Sequence, residues 1–272
     1  MKNFLLIILI ILPNYLSAKS KCSEKLCLDL NIVNKSLNIV IQNNYPHQIS
    51  LQLNLEPNDV VDLTSPQNLI IKASSTKKLK LSLYNINKLT ELQASYKWMF
   101  GNYEATNTYI YHLPYAQNKS YLVGQGNNGE FTHKDKHKYA IDWNMDIGSN
   151  IHAARSGFVV KLENNYKESG NSEEFLEKSN YIKILHDDGT SATYAHIKFN
   201  GTLVKINERV SQGELIAYSG NTGYSSGPHL HFHVSKPKIT KNNIIEETIL
   251  VEFQNCQAKK IIPETGKKYP NC

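Results

Sequence analysis

The chain has 272 residues, with 30 basic against 24 acidic side chains and a formal net charge of +6. A surplus this small and this dispersed excludes a nucleic-acid-binding stripe or tail, and suits at most an anionic wall or membrane surface. The length allows one large domain or two modest ones.

The first predicted element is a leader. Met1-Lys2-Asn3, an apolar run from Phe4 to Pro13, and small residues at Ser17 and Ala18 read as a secretory signal peptide over 1–18. The run falls short of the roughly 20 apolar residues that a spanning helix needs. Membrane attachment is therefore expected only if the segment stays uncleaved. Lys19, not a cysteine, follows Ala18, which argues against lipid attachment there. The expected destination is periplasmic or extracellular. Cys22, Cys27, Cys256 and Cys272 then favour two disulfides over free thiols. Of the three possible pairings, the local one (Cys22 with Cys27, Cys256 with Cys272) would pin both ends. A four-cysteine zinc site is the alternative, and the compartment and the spacing weigh against it.

Residues 19–115 read as an N-terminal β-domain. Ile49, Leu51, Leu53 and Leu55 fall on one face of a strand, with Ser50, Gln52 and Asn54 on the other. Leu79, Leu81 and Leu83 repeat the alternation against Lys78, Lys80 and Ser82. A small β-sandwich of roughly 80 residues is expected. His47 and His112 are isolated within it and read as surface or packing residues.

A second domain is expected over 116–255, followed by a C-terminal tail, 256–272. Eight of the ten histidines lie beyond Tyr121. Short strands are predicted at Phe158 to Leu162, Tyr181 to His186, Thr190 to His196, Leu215 to Tyr218 and His229 to Val234, with one more over Thr248 to Phe253. Asn171 to Lys178 suits a turn or two of helix or an exposed loop. The fold class is mainly β throughout.

Chemistry concentrates in this second domain. In a strand, residues i and i+2 share a face, so His229 and His231 present neighbouring imidazoles. Tyr139-Ala140-Ile141-Asp142-Trp143 buries an aspartate in an apolar strand, which is costly unless the carboxylate is paired or binds a metal. Thr193-Tyr194-Ala195-His196 ends another strand with a histidine. Catalytic zinc takes three ligands of His, Asp or Glu type and leaves a fourth position to water. The helical His-Glu-x-x-His signature is absent, so such a site must be carried on strands.

The segment from Gly124 to Val234 resembles the catalytic domain of the lysostaphin-type (LytM-like) zinc endopeptidases, a domain spanning about 121–236 here. The matching stretches are Phe131-Thr132-His133, Tyr139-Ala140-Ile141-Asp142, Ala153-Ala154-Arg155-Ser156-Gly157, Tyr194-Ala195-His196 and Gly227-Pro228-His229-Leu230-His231-Phe232. The resemblance implies a small antiparallel β-sheet peptidase domain after the β-sandwich-like one. It implies one Zn2+ per chain, held by His133, Asp142 and His231. His229 is implied as general base or as a donor to the zinc-bound water, and His196 as a stabiliser of the oxyanion. The implied substrate is peptidoglycan peptide, its stems or cross-bridges hydrolysed at the cell wall by a metal-activated water. A catalytically inactive relative that binds and activates a cell-wall amidase is the alternative.

Two positions depart from the family pattern. Many members place the first zinc histidine four residues before the aspartate, where this chain has Lys138. His133, returning through a loop, and His137 are the substitutes. His133 is preferred, because a subgroup with Phe-Ser/Thr-His ahead of Tyr-Ala-Ile-Asp is built that way, and because an extended strand would put His137 on the opposite face from Asp142. His233 stands where a glutamate is frequent, and reads either as a groove or supporting residue or as part of a solvated strand. His152 and His186 lie outside the motifs.

Overall fold

The computed structural model describes residues 8–11, 19–56, 66–84 and 91–272. It is mainly β, in largely antiparallel sheets. The chain divides into two compact units, Met1–Tyr103 with Pro237–Ile245, and Glu104–Lys236 with Glu246–Cys272. Of the expected leader, only Ile8–Ile11 falls among the described residues; the rest of 1–18, with the expected cleavage point, lies outside them.

The first unit contains two four-stranded sheets. One runs β1 (Ile8–Ile11), β8 (Glu91–Phe100), β5 (Ile49–Glu56) and β6 (Gln67–Ile71). The other runs β2 (Lys19–Ser23), β3 (Leu26–Val33), β4 (Ser36–Asn43) and β7 (Ser75–Ser82). Period-two alternation sends Leu26, Leu28, Leu30 and Ile32 of β3, Leu37, Ile39 and Ile41 of β4, and Ile49, Leu51, Leu53 and Leu55 of β5 into one core. Each is at most 2% exposed, worth about 1.5–3 kcal/mol per side chain. The Cys22–Cys27 disulfide joins β2 to β3. The polar face of β5 departs from simple alternation, because Ser50 and Gln52 are buried as well. Burial requires partners. Ser50 Oγ donates to the Gly101 carbonyl and accepts the Tyr103 N–H, and Gln52 Nε2 donates to the Thr240 carbonyl.

The second unit is organised on a nine-stranded sheet. In chain order its strands are β9 (Ser120–Gln125), β10 (Ile141–Asn144), β11 (Gly157–Glu163), β12 (Tyr181–Leu185), β13 (Ser191–Ala195), β14 (Arg209–Val210), β15 (His229–Ile239), β16 (Ile244–Ile249) and β17 (Lys268–Pro270). In space they run β14-β11-β12-β13-β15-β10-β9-β17, with β16 along β15. One face packs on a core containing Trp143, Tyr194, Phe232 and Phe253. The Phe232 ring lies 5.2 Å from Tyr194 and 5.6 Å from Phe253.

Elsewhere the acidic stretch near 171–178 forms a single turn of 3-10 helix, Glu173–Phe175. The strand expected over Thr248 to Phe253 is split between β16 and a separate strand, Glu252–Gln254, which pairs in parallel with Ile110–Tyr111. Residues 256–272 group with the second unit. There β17 pairs with β9, Cys256 is bonded to Cys272, and Thr265 Oγ1 accepts the Gly126 N–H at 2.9 Å.

His186, which follows β12, belongs to the core. It is 2% exposed, its Nδ1–H donates to the Ser156 carbonyl at 2.8 Å, and its ring lies 5.7 Å from Tyr111. Burial pulls its pKa down to about 4. The unfolded chain, with an ordinary histidine near 6.5, therefore binds more protons between those values. The stability that His186 contributes is present above about pH 6.5 and lost as pH falls towards 4, a swing on the order of 3 kcal/mol. Thermal midpoints of the metal-free chain should drop across that window, and His186→Gln should flatten the drop. An unchanged slope in the variant would show that His186 does not titrate as the structure requires.

Candidate metal centre

Sheet register assembles the centre. Asp142 of β10 lies directly across from His231 of β15, and Asn144 across from His229. On the other side of β15, Ala195 of β13 faces His231, so His196 emerges beside it. Alternation sends Ile141, Trp143, Leu230 and Phe232 to the core and leaves Asp142, His229 and His231 on the opposite face.

His133 returns to that face through a loop. Its Nδ1–H donates to the Gly126 carbonyl at 2.8 Å, which turns the Nε2 lone pair inward. Nε2 lies 3.1 Å from Asp142 Oδ1, yet it is buried without an aligned hydrogen bond among the described residues. His231 Nδ1 lies 2.9 Å from the same oxygen. Donor atoms of His133, Asp142 and His231 all lie within 4.8 Å of one another. Burial would raise the Asp142 carboxyl, but the neighbouring imidazoles of His133, His231 and His229 outweigh it and hold it well below the usual carboxylate range. Burial likewise pulls His231 down to about 4, so its imidazole is neutral, as metal ligation requires.

Gln125 holds the donors in place, and the sequence motifs gave no sign of it. Across the β9–β10 pair it faces Asp142. Its Nε2 donates to Asp142 Oδ2 at 3.1 Å and to Thr132 Oγ1 at 2.8 Å. Its Oε1 accepts the N–H groups of Phe131 and Thr132. One side chain thus clamps the His133 loop and occupies the outer carboxylate oxygen, leaving Oδ1 for the centre. Gln125→Ala should weaken metal binding by about 10–100-fold, the usual cost of losing a supporting hydrogen bond behind a ligand. Competition with a chromogenic chelator measures this, and an unchanged affinity would remove Gln125 from the support.

Two further histidines line the face. His229 Nδ1–H donates to the Gly227 carbonyl at 2.8 Å, and its Nε2 lies 3.7 Å from Asp142 Oδ1. His196 Nδ1–H donates to the Thr222 carbonyl at 2.7 Å, and its ring lies 4.4 Å from that of His229. In both rings the carbonyl fixes the proton on Nδ1, so Nε2 is a proton acceptor. Burial brings His196 down to about 3, so it is neutral at physiological pH. His196 has φ of +61°, in the left-handed region. Such strain persists only where the surroundings hold it, commonly at functional sites.

His137 differs from its strand-parity expectation. Asp135–His137 form a 3-10 turn, not an extended strand, so parity does not apply. The ring reaches within 5.5 Å of His231 and 5.6 Å of His233. Burial pulls its pKa down to about 4. His233 is no solvated strand residue: it is 6% exposed, with Nδ1 3.1 Å from His231 Nε2 and Nε2 3.4 Å from Glu246 Oε1. Glu246, which no motif marked, also meets Lys183 and Ser235. His152 is taken elsewhere, by the Gly213 carbonyl at 2.7 Å.

Two imidazoles, one on a loop and one on a strand, thus converge with a strand-borne carboxylate, and two further imidazoles lie beside them. The sequence model of peptidase family M23 matches residues 136–244. An uncharacterized metalloprotease of Buchnera aphidicola is 28% identical over 200 residues, covering 68% of this chain and 50% of that protein. The glycyl-glycine endopeptidase ALE-1 of Staphylococcus capitis is 36% identical over 96 residues, 35% of this chain and 23% of that one. The peptidoglycan DD-endopeptidase ShyA of Vibrio cholerae is 34% identical over 93 residues, 34% of this chain and 19% of that one. The chain therefore spans half or less of the length of these relatives. Residues 136–244 thus match the model of peptidase family M23, and the same region is similar to lysostaphin of Staphylococcus staphylolyticus, 36% identical over 96 residues, 35% of this chain and 18% of that one.

Proposed function

We propose that this chain is an exported, zinc-dependent endopeptidase that hydrolyses the peptide stems or cross-bridges of bacterial peptidoglycan. The observation that carries the reading is the convergence of His133 Nε2 and His231 Nδ1 on Asp142 Oδ1, at 3.1 and 2.9 Å, within a donor set whose atoms lie within 4.8 Å of one another. Two nitrogens and one carboxylate oxygen match the donor set of a catalytic zinc with an open fourth position. When bound there, zinc would polarise the peptide carbonyl and acidify a water. His229 would accept a proton from water at Nε2, because its own Nδ1–H is engaged by the Gly227 carbonyl. His196 also begins as an acceptor at Nε2, so it can donate to the oxyanion only after receiving a proton there. Two disulfides support export, since they persist in oxidising compartments. Similarity to relatives described as acting on peptidoglycan or on glycyl-glycine bonds supports the substrate class.

The test is incubation of the purified, zinc-loaded chain with defined cell walls, followed by mass spectrometry of the released muropeptides. New peptide termini are expected. Full zinc loading without cleavage of any wall preparation would replace this reading by that of an inactive domain that activates a wall amidase.

A further inference from the structure

Behind the proposed zinc donors lies a second set of nitrogens. His137, His231 and His233 each offer one, and the three lie within 4.8 Å of one another. None of the five family-matching stretches contains His137 or His233.

Each ring is oriented for ligation. Glu246 Oε1 faces His233 Nε2 at 3.4 Å, which places the proton there and leaves His233 Nδ1 as a lone pair aimed at His231 Nε2, 3.1 Å away. Glu246 is itself fixed by Lys183 and Ser235. A carboxylate behind an imidazole is the usual device for orienting a metal-binding histidine. His137 Nδ1 is buried without a hydrogen-bond partner among the described residues. A buried polar nitrogen left bare is unfavourable and calls for an occupant. The 3-10 turn over Asp135–His137 is what carries this ring to the strand face.

We propose that His137, His231 and His233 form a second divalent-cation site, with His231 shared between two ions, Nδ1 towards the first and Nε2 towards the second. Three nitrogen donors suit an imidazole-preferring ion such as zinc and disfavour magnesium or calcium, which take oxygen ligands. The proton balance is simple. With only the first ion present, His231 Nε2–H donates to His233 Nδ1. The second ion forms bonds to a His137 nitrogen, His231 Nε2 and His233 Nδ1, and the Nε2 proton leaves to solvent with no change of oxidation state. This inference depends on the proposed catalytic site only through the shared His231.

The test is calorimetric titration of the metal-free full chain with zinc chloride, paired with elemental analysis after dialysis, on the parent, His137→Ala, His137→Gln and Asp142→Ala chains. The parent should take about two equivalents and each variant about one. Thermal midpoints confirm that the variants are folded. About one equivalent in the parent and in both His137 variants, with none in Asp142→Ala, overturns the second site and leaves the first standing. About two equivalents in the His137 variants also overturns it, by putting the second ion elsewhere. The reverse pattern, with binding lost in the His137 variants and kept in Asp142→Ala, supports the second site and overturns the first.

Discussion

Asp142→Ala should lose the zinc proposed between His133 and His231, and with it the proposed release of peptides from peptidoglycan. Asp142 supplies the only carboxylate of that donor set, and its Oδ1 lies 3.1 Å from His133 Nε2 and 2.9 Å from His231 Nδ1. Removing it leaves only two imidazoles, which hold a divalent ion far more weakly. Losing a residue that only supports a ligand costs about 10–100-fold, so losing the ligand should exceed the top of that range. Hydrolysis should fall by at least as much. The fold should survive, because the variant removes a buried charge and leaves Ile141 and Trp143 in their core positions. Elemental analysis and muropeptide release, measured on one preparation, check both halves. Cleavage that persists after this zinc is lost would place the chemistry elsewhere.

His229→Ala should do the opposite with the metal: zinc stays and turnover falls. A side chain that moves a proton in the transition state is worth about 10²–10⁴-fold. His229 meets the geometric requirement, with Nδ1 tied to the Gly227 carbonyl and Nε2 free on the donor side, 3.7 Å from Asp142 Oδ1. His196→Ala should give a loss in the same range. Steady-state rates on a soluble stem-peptide substrate, alongside zinc content, separate the roles. If His229→Ala loses zinc together with activity, His229 is a ligand and not a proton carrier.

The sequence made the strand-borne half of this centre legible, because strand parity is a local rule. Asp142 and His231 alternate with core residues, and register sets them face to face. Alternation also gave the apolar faces of the first unit, Ile49 to Leu55 among them. The other half depends on contacts that no local pattern encodes. His133 reaches the centre by a loop, and it was favoured by family resemblance and by the parity argument against His137. Gln125 lies across a strand pair from Asp142, and Glu246 comes from a different hairpin arm than Asp142, so neither has a sequence neighbour that marks its role. Parity could not place His137, because it holds only in extended chain. Asp135, with φ of +46°, turns the backbone before the strand begins. The burial of Ser50 and Gln52 was equally out of reach: alternation tells which face is polar, not whether that face is covered.

The Thr265 contact has a consequence in time. Gly126 accepts the His133 Nδ1–H through its carbonyl and, from the preceding peptide unit, donates its N–H to Thr265 Oγ1, while β17 lies along β9. Ribosomes build chains from the amino end, so His133, Asp142 and His231 all exist before residue 265 is added. A growing chain therefore possesses every proposed donor before it possesses the brace that orients the first. In synthesis the Thr265 contact comes last, after all three proposed donors.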